Sequence, residues 1–91
     1  GGAIRFKRPD NPESVLDLHG CRVEEAIDRF EKFLDQALVS GFASVRIMHG
    51  QGSGALGKAL HKHFRNHPSL KNFRYAEPHE GGGGVTIVEF K

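Results

Sequence analysis

The stretch Val45 to Leu56, VRIMHGQGSGAL, decides how this chain is read. Four residues of strand character stop at His49, and three of the next five positions are glycine before helix-forming residues resume at Ala55. An apolar run that breaks into glycine and restarts with helical composition is the strand-to-helix turn of an α/β unit. Downstream, Leu56, Ala59, Leu60 and Phe64 recur at helical spacing until Pro68 forbids continuation. Upstream, Val23, Ala26, Ile27, Phe30, Phe33, Leu34, Ala37 and Leu38 form the 3.6-residue stripe of a helix that packs one face, and Gly41 stops it.

Working outward, Val15 to Leu18 reads as a short strand bounded by His19-Gly20, and Val45 to Met48 as a second. Phe73 to Ala76 is expected as a third, Glu80 to Gly84 as a flexible stretch, and Val85 to Phe90 as a fourth strand of strong β composition. Residues 1–14 hold two prolines, scattered charge and no sustained period, so a flexible linker or tail is expected there and a domain over residues 15–91. The order is β-α-β-α-β-β. Helical crossovers make the first two or three strands parallel, and the loop before the last strand permits antiparallel pairing. Two helices cannot cover both faces of four strands. The expected fold is therefore α/β, a two-layer sandwich of a four-stranded mixed sheet with both helices on one side. Val15, Asp17 and His19 share one face of the first strand, and Leu16 and Leu18 the other.

Ninety-one residues, 37% apolar with seven Phe, suit one domain that buries about two-thirds of its unfolded surface. One cysteine, Cys21, excludes an internal disulfide and fits a reducing compartment. No apolar run nears the roughly 20 residues of a membrane span, and the start lacks a signal peptide's apolar stretch, so a soluble cytoplasmic protein is expected.

The net charge of +2 conceals an asymmetry. Between Asp35 and Glu77 there is no carboxylate, while Arg46, Lys58, Lys62, Arg65, Lys71 and Arg74 make the interval +6 and leave −4 for the rest. Such a segment suits a polyanion, because each phosphate neutralised releases counterions. Its blander reading is a solvated basic helix face.

Ligands of parallel α/β units sit beyond the carboxyl ends of the strands. His19-Gly20 and His49-Gly50 occupy two such ends, so both imidazoles are expected at one crevice. Gly50, Gly52 and Gly54 lead into a helix whose first amides lack intrahelical partners, and a loop without Cβ atoms can wrap its N–H groups round a phosphate. Ser53 adds a cap or a further donor. The G-x-G-x-G spacing without a carboxylate about 20 residues on does not fit a dinucleotide fold, and no Lys-Ser/Thr follows in P-loop register.

LDLHG at Leu16 to Gly20 and MHGQGSG at Met48 to Gly54, with VEEA opening the first helix, ALGKAL the second and GGGGVTIVEF closing the chain, resemble the signature of the Smr (small MutS-related) domain family. The resemblance spans Val15 to Lys91 and is strongest to Smr domains at the C-terminus of the second bacterial MutS paralogue, although His19 stands where many of those have Arg. It implies a fold similar to the C-terminal domain of translation initiation factor 3. It also implies nucleic-acid binding and structure-dependent endonuclease activity: nicking of branched DNA with suppression of recombination, or action on RNA, including at the ribosome. A partner implied for the paralogue is a dimeric MutS-type ATPase.

Matched to those motifs, Asp17, His19 and His49 are the candidate catalytic residues. Arg22, Gly50, Gly52, Ser53, Gly54, Lys58, Lys62 and Arg65 are the candidate phosphate contacts. Asp17 is read two ways, as an acceptor of loop amides or as a catalytic group that orients an imidazole or holds Mg²⁺ or Mn²⁺. With no second carboxylate near it, a two-metal nuclease is not expected. His49 either orients the glycine loop or acts on phosphate directly. His61, His63 and His67 are expected on a solvated or phosphate-facing helix surface rather than at a metal site, and Cys21 and Met48 in packing. The rival to an enzyme is a module that binds branched DNA or ribosomal RNA without cleaving it. A protein-interaction domain has Phe6, Phe42 and Tyr75 in its favour.

Overall fold

The computed structural model describes residues 14–91, so nearly all of the expected tail, with Phe6, lies outside the described residues. Just ahead of the first strand, the Ser14 carbonyl accepts the Arg46 N–H at 2.8 Å. The elements are β1 (Val15–Asp17), α1 (Val23–Val39), β2 (Ser44–Met48), α2 (Ala55–Phe64), β3 (Leu70–Tyr75) and β4 (Val85–Phe90). Two 3-10 turns, Pro78–Glu80 and Gly82–Gly84, join the last two strands.

The four strands form one mixed sheet in the order β1-β2-β4-β3. β1 and β2 are parallel, and β4 runs antiparallel to both neighbours, so β1, β2 and β3 share a direction. Its central place explains why β4 is buried along nearly its whole length. Val45, Ile47, Val88 and Phe90 turn one face of the sheet toward Ala26, Phe30 and Leu34 of α1 and Leu60 and Phe64 of α2 in a single core. On the opposite face Val85, Ile87 and Ala76 make a smaller cluster. Phe30 and Phe64 are fully buried with ring centroids 4.7 Å apart. Each such ring contributes about 1.5–3 kcal/mol by burial, and the pair about 0.5–1.5 kcal/mol more.

α1 starts without a side-chain cap at Arg22, but Glu24 and Glu25 in its first turn complement the dipole. It ends in a Schellman motif: Gly41, at φ 76°, donates to Leu38, and Phe42 donates to the Ala37 carbonyl while packing on the core. β3 begins at Leu70, three residues before the expected start at Phe73. It is an edge strand whose first turn-out residues Lys71 and Asn72 are exposed and flank a register shift, which hides its apolar period. The stretch expected as flexible is instead shaped by the 3-10 turns. Glu77 and Glu80 form a capping box there, and Arg74 donates to Glu80 at 2.9 Å. Among the described residues, no helix is long and apolar enough to cross a membrane.

Candidate nucleic-acid site at the mouth of the sheet

Asp17 of β1 stands beside Met48 of β2 in parallel register, so the two strands end flush. The Leu18 N–H extends the ladder by one bond to the Met48 carbonyl at 2.7 Å. His19-Gly20 and His49-Gly50 therefore emerge at the same end, as the two motifs require. A cleft of about 620 Å³ lies there, lined by His19, Arg22, His49, Gly52, Ser53 and Gly54 among others. A second hollow of about 370 Å³ holds Asp17 and Gln51, and His19 and Gly50 border both.

The glycines have a conformational explanation. Gly50, Gly52 and Gly54 have φ of 79°, 38° and 83°, whereas among the described residues no non-glycine has positive φ, so Gln51 and Ser53 between them do not. Left-handed glycines at alternate positions curve the backbone into a loop of the kind that can present N–H groups to an anion. The Gly54 N–H closes the loop on the Gln51 carbonyl at 2.6 Å, and Ser53 Oγ accepts the Ala55 N–H at 3.3 Å at the start of α2. Below the loop, the Gly84 carbonyl accepts both the His49 and Gly50 amides, at 3.0 and 2.9 Å. A Cβ on Gly84 would meet the Gly50 carbonyl carbon at 3.2 Å, so the terminal glycine run supports the first glycine loop by close backbone approach.

The two imidazoles differ. His19 is exposed, and Asp17 Oδ1 accepts its backbone N–H at 2.9 Å, so the carboxylate orients the loop through the main chain rather than through a ring. His49 is only 4% exposed. Its Nδ1 lies 3.0 Å from the Gly50 carbonyl, which can only accept, so Nδ1 carries the proton and Nε2 is an acceptor. Thr86 Oγ1, 2.8 Å away, donates to that Nε2 and accepts in turn from His61 Nε2 at 2.7 Å. The chain His61–Thr86–His49–Gly50 is thus satisfied with both rings neutral. Burial, followed by the neighbouring His49 and Arg65, lowers the His61 pKa below its ordinary 6.5. His61 also stacks on Tyr75 with centroids 4.1 Å apart, so it is half-buried in a network and not part of a solvated surface.

Of the expected phosphate contacts, Arg22, Gly50, Gly52, Ser53 and Gly54 line the cleft. Lys58 lies alongside the loop, its Cε 4.0 Å from the Cβ that Gly54 lacks. Lys62 and Arg65 are exposed further along α2 and do not line the cleft. Thr86, Gly84 and Gly57 were not singled out by their sequence context. Gly57 is buried against His49, where a Cβ would stand 3.0 Å from the ring's Cε1. For Mg²⁺ or Mn²⁺ the donors fit poorly, since Asp17 is a single exposed carboxylate that, among the described residues, belongs to no group of three metal-competent side chains.

The family model described as Smr domain matches residues 16–91. Among curated proteins, Endonuclease MutS2 of Geobacillus sp. (strain WCH70) is 53% identical over 76 residues, 84% of this chain and 10% of that protein. Endonuclease MutS2 of Listeria innocua serovar 6a is 48% identical over 83 residues, 90% of this chain and 11% of the relative. The chain thus spans about a tenth of the curated relatives it matches. The crystal structure of the Smr domain of Thermus thermophilus MutS2 superposes with a TM-score of 0.83 at 36% identity, covering 86% of this chain and 98% of that one. YdaL, a stand-alone small MutS-related protein from Escherichia coli, superposes at 0.78 and 26% identity, covering 85% and 63%. With its two histidine–glycine motifs at one end of a β1-β2-β4-β3 sheet, the chain belongs to the Smr domain family.

Proposed function

We propose that this domain is a structure-directed endonuclease module that nicks DNA, and that one backbone phosphate docks on the loop of residues 50–54, between its ends that the Gly50 and Gly54 amides tie to the Gly84 and Gln51 carbonyls. The observation that carries the reading is the alternating left-handed backbone of that loop beside the exposed His19. Arg22 and Lys58 hold flanking phosphates, and Lys62 and Arg65 extend the basic surface along α2. In the cleavage step a water oxygen bonds to phosphorus and the bond to the leaving sugar oxygen breaks. His19 takes the proton lost by the water, and solvent protonates the departing oxygen. General-base help of this kind contributes about 10² to 10⁴ in rate. His49 acts differently: its ring, tied to Thr86 and Gly50, fixes the loop in its anion-binding shape. Asp17 holds the His19 backbone. Because the donor set around Asp17 does not suit a resident divalent cation, no step depends on one.

The curated relatives bear the name Endonuclease MutS2 and are about eight times as long as this chain. That supports a reading in which the domain works within a longer MutS-type chain, brought to branched DNA by a dimeric ATPase and opposing recombination. A second reading, binding or cleavage of RNA at the ribosome, shares the loop and cations and is favoured by the same shape-based contacts. Nicking of supercoiled plasmid and cleavage of structured RNA, each with and without EDTA, test both readings. His19→Ala should lose at least about 100-fold in rate, with binding retained. Equal cleavage by wild type and His19→Ala rejects the assignment. Binding without product on any substrate leaves a non-catalytic module. A 2′,3′-cyclic phosphate end would make the ribose hydroxyl, not water, the nucleophile. Affinity should fall with salt at a slope near −3.6 for about four duplex phosphate contacts.

A further inference from the structure

Away from the glycine loop, Glu31 of α1 meets two histidines at the other end of α2. His63 Nε2 lies 2.8 Å from Glu31 Oε2, and His67 Nε2 lies 2.9 Å from the same oxygen and 3.2 Å from Oε1. All three ligand atoms fall within 4.8 Å of one another. The side chains are 42%, 28% and 11% exposed for Glu31, His63 and His67, so the cluster is half-sunk with one side open to water. Phe30 sets the ring planes, meeting both imidazoles edge-on at 6.2 Å.

We propose that Glu31, His63 and His67 form a zinc site that clips α1 to the end of α2. Two histidines four residues apart, HFRNH, with a carboxylate from a neighbouring helix, are a ligand set that zinc takes with water in a fourth position. Imidazole nitrogens select zinc or copper over magnesium or calcium, which prefer oxygen. Tetrahedral bonds of about 2.0–2.2 Å place neighbouring ligand atoms about 3.3 Å apart. The present N···O separations need open by only about half an ångström. Since Glu31 is the shared acceptor of both rings, the metal replaces two hydrogen bonds with coordinate bonds at the same atoms. One cost is visible: the Ser69 N–H donates to His67 Nδ1 at 3.2 Å, so in the metal-free protein His67 carries its proton on Nε2. Zinc moves that proton to Nδ1 and gives up this one long bond, leaving the Ser69 amide to water. The site lies roughly 15 Å along α2 from the glycine loop, the length of a ten-residue helix. It therefore serves stability and not the phosphate chemistry.

Untagged domain, stripped with chelator, is titrated with Zn²⁺ by calorimetry and with Co²⁺ by visible absorption. Wild type should take up one equivalent saturably, give the absorption of tetrahedral cobalt, and melt about 10 °C or more higher at zinc a hundredfold above Kd. Glu31→Gln and His63→Ala, whose folding is checked by circular dichroism, should each weaken binding at least tenfold. These two carry the test because His67→Ala empties a nearly buried position. Lack of saturable uptake by wild type, or a loss below tenfold in both variants, overturns the proposal.

Discussion

The Thr86 hydroxyl stands 2.8 Å from His49 Nε2 and 2.7 Å from His61 Nε2, fully buried between two rings from different elements. One hydroxyl thus donates to one imidazole and accepts from the other, and the backbone carbonyl of Gly50 closes the chain. Thr86→Val keeps the shape and strands a buried acceptor on His49 and a donor on His61. The expected loss is about 1–3 kcal/mol, measured by urea denaturation. Nucleic-acid affinity should fall with it if the loop that His49 holds is the docking surface proposed above. A variant as stable as wild type would mean that the rings find other partners.

Gly57 invites a substitution that ordinary reasoning would recommend. Alanine in a helix interior is favoured over glycine by about 1 kcal/mol. Here its Cβ would sit 3.0 Å from His49 Cε1 and 3.1 Å from Nδ1, and that ring is pinned at both nitrogens. Overpacking of this kind costs about 1–3 kcal/mol and outweighs the propensity gain. Gly57→Ala should therefore lower the melting temperature and weaken phosphate binding together. A rise in melting temperature would show that His49 can move aside.

His61 makes stability depend on pH with a definite sign. Its folded pKa is lowered, by burial first and then by the nearby His49 and Arg65. Below the unfolded value of 6.5 the unfolded chain takes up the proton more readily than the folded one. Stability is thus full above that value and declines as pH falls toward the folded pKa. His61→Gln keeps a donor for Thr86 but does not titrate. Urea midpoints at about pH 7.5 and about pH 5.5 should separate more in wild type than in the variant. Equal separation would assign the acid sensitivity elsewhere.

Legibility in the sequence followed the physics of each feature. The helices showed because packing on one sheet imposes a 3.6-residue stripe, and Phe30, Leu34, Leu60 and Phe64 on those stripes are the core. The flush strand ends showed through the repeated His-Gly after Leu18 and Met48. Strand order did not, since β4 inserts between β2 and β3 through pairings that no local pattern encodes. Thr86 was invisible inside VTIVEF, because its partners lie 37 and 25 residues away. His49 carried the right motif, but only three-dimensional burial separates a ring that holds a loop from one that meets substrate. The pairing of Glu31 with His63 and His67 spans more than 30 residues, and on the helical pattern alone all three fall on polar positions.

The turn before β4 depends on a carboxylate that titrates at low pH. Glu80 accepts from Arg74 and from the Glu77 backbone amide, and these bonds pull its pKa from 4.5 down to about 2. A depressed carboxylate stabilises the fold above its unfolded value and loses that contribution as pH falls through the folded one. The turn carries the chain to Gly84, whose carbonyl holds the His49 and Gly50 amides. Glu80→Gln should therefore be less stable than wild type at neutral pH, and the gap should shrink between 4.5 and about 2. Amide exchange at His49 and Gly50 should quicken in the variant near neutral pH, because the acceptor they share is then less firmly placed. Unchanged exchange at both amides would show that Gly84 is held independently of the Arg74–Glu80 pair.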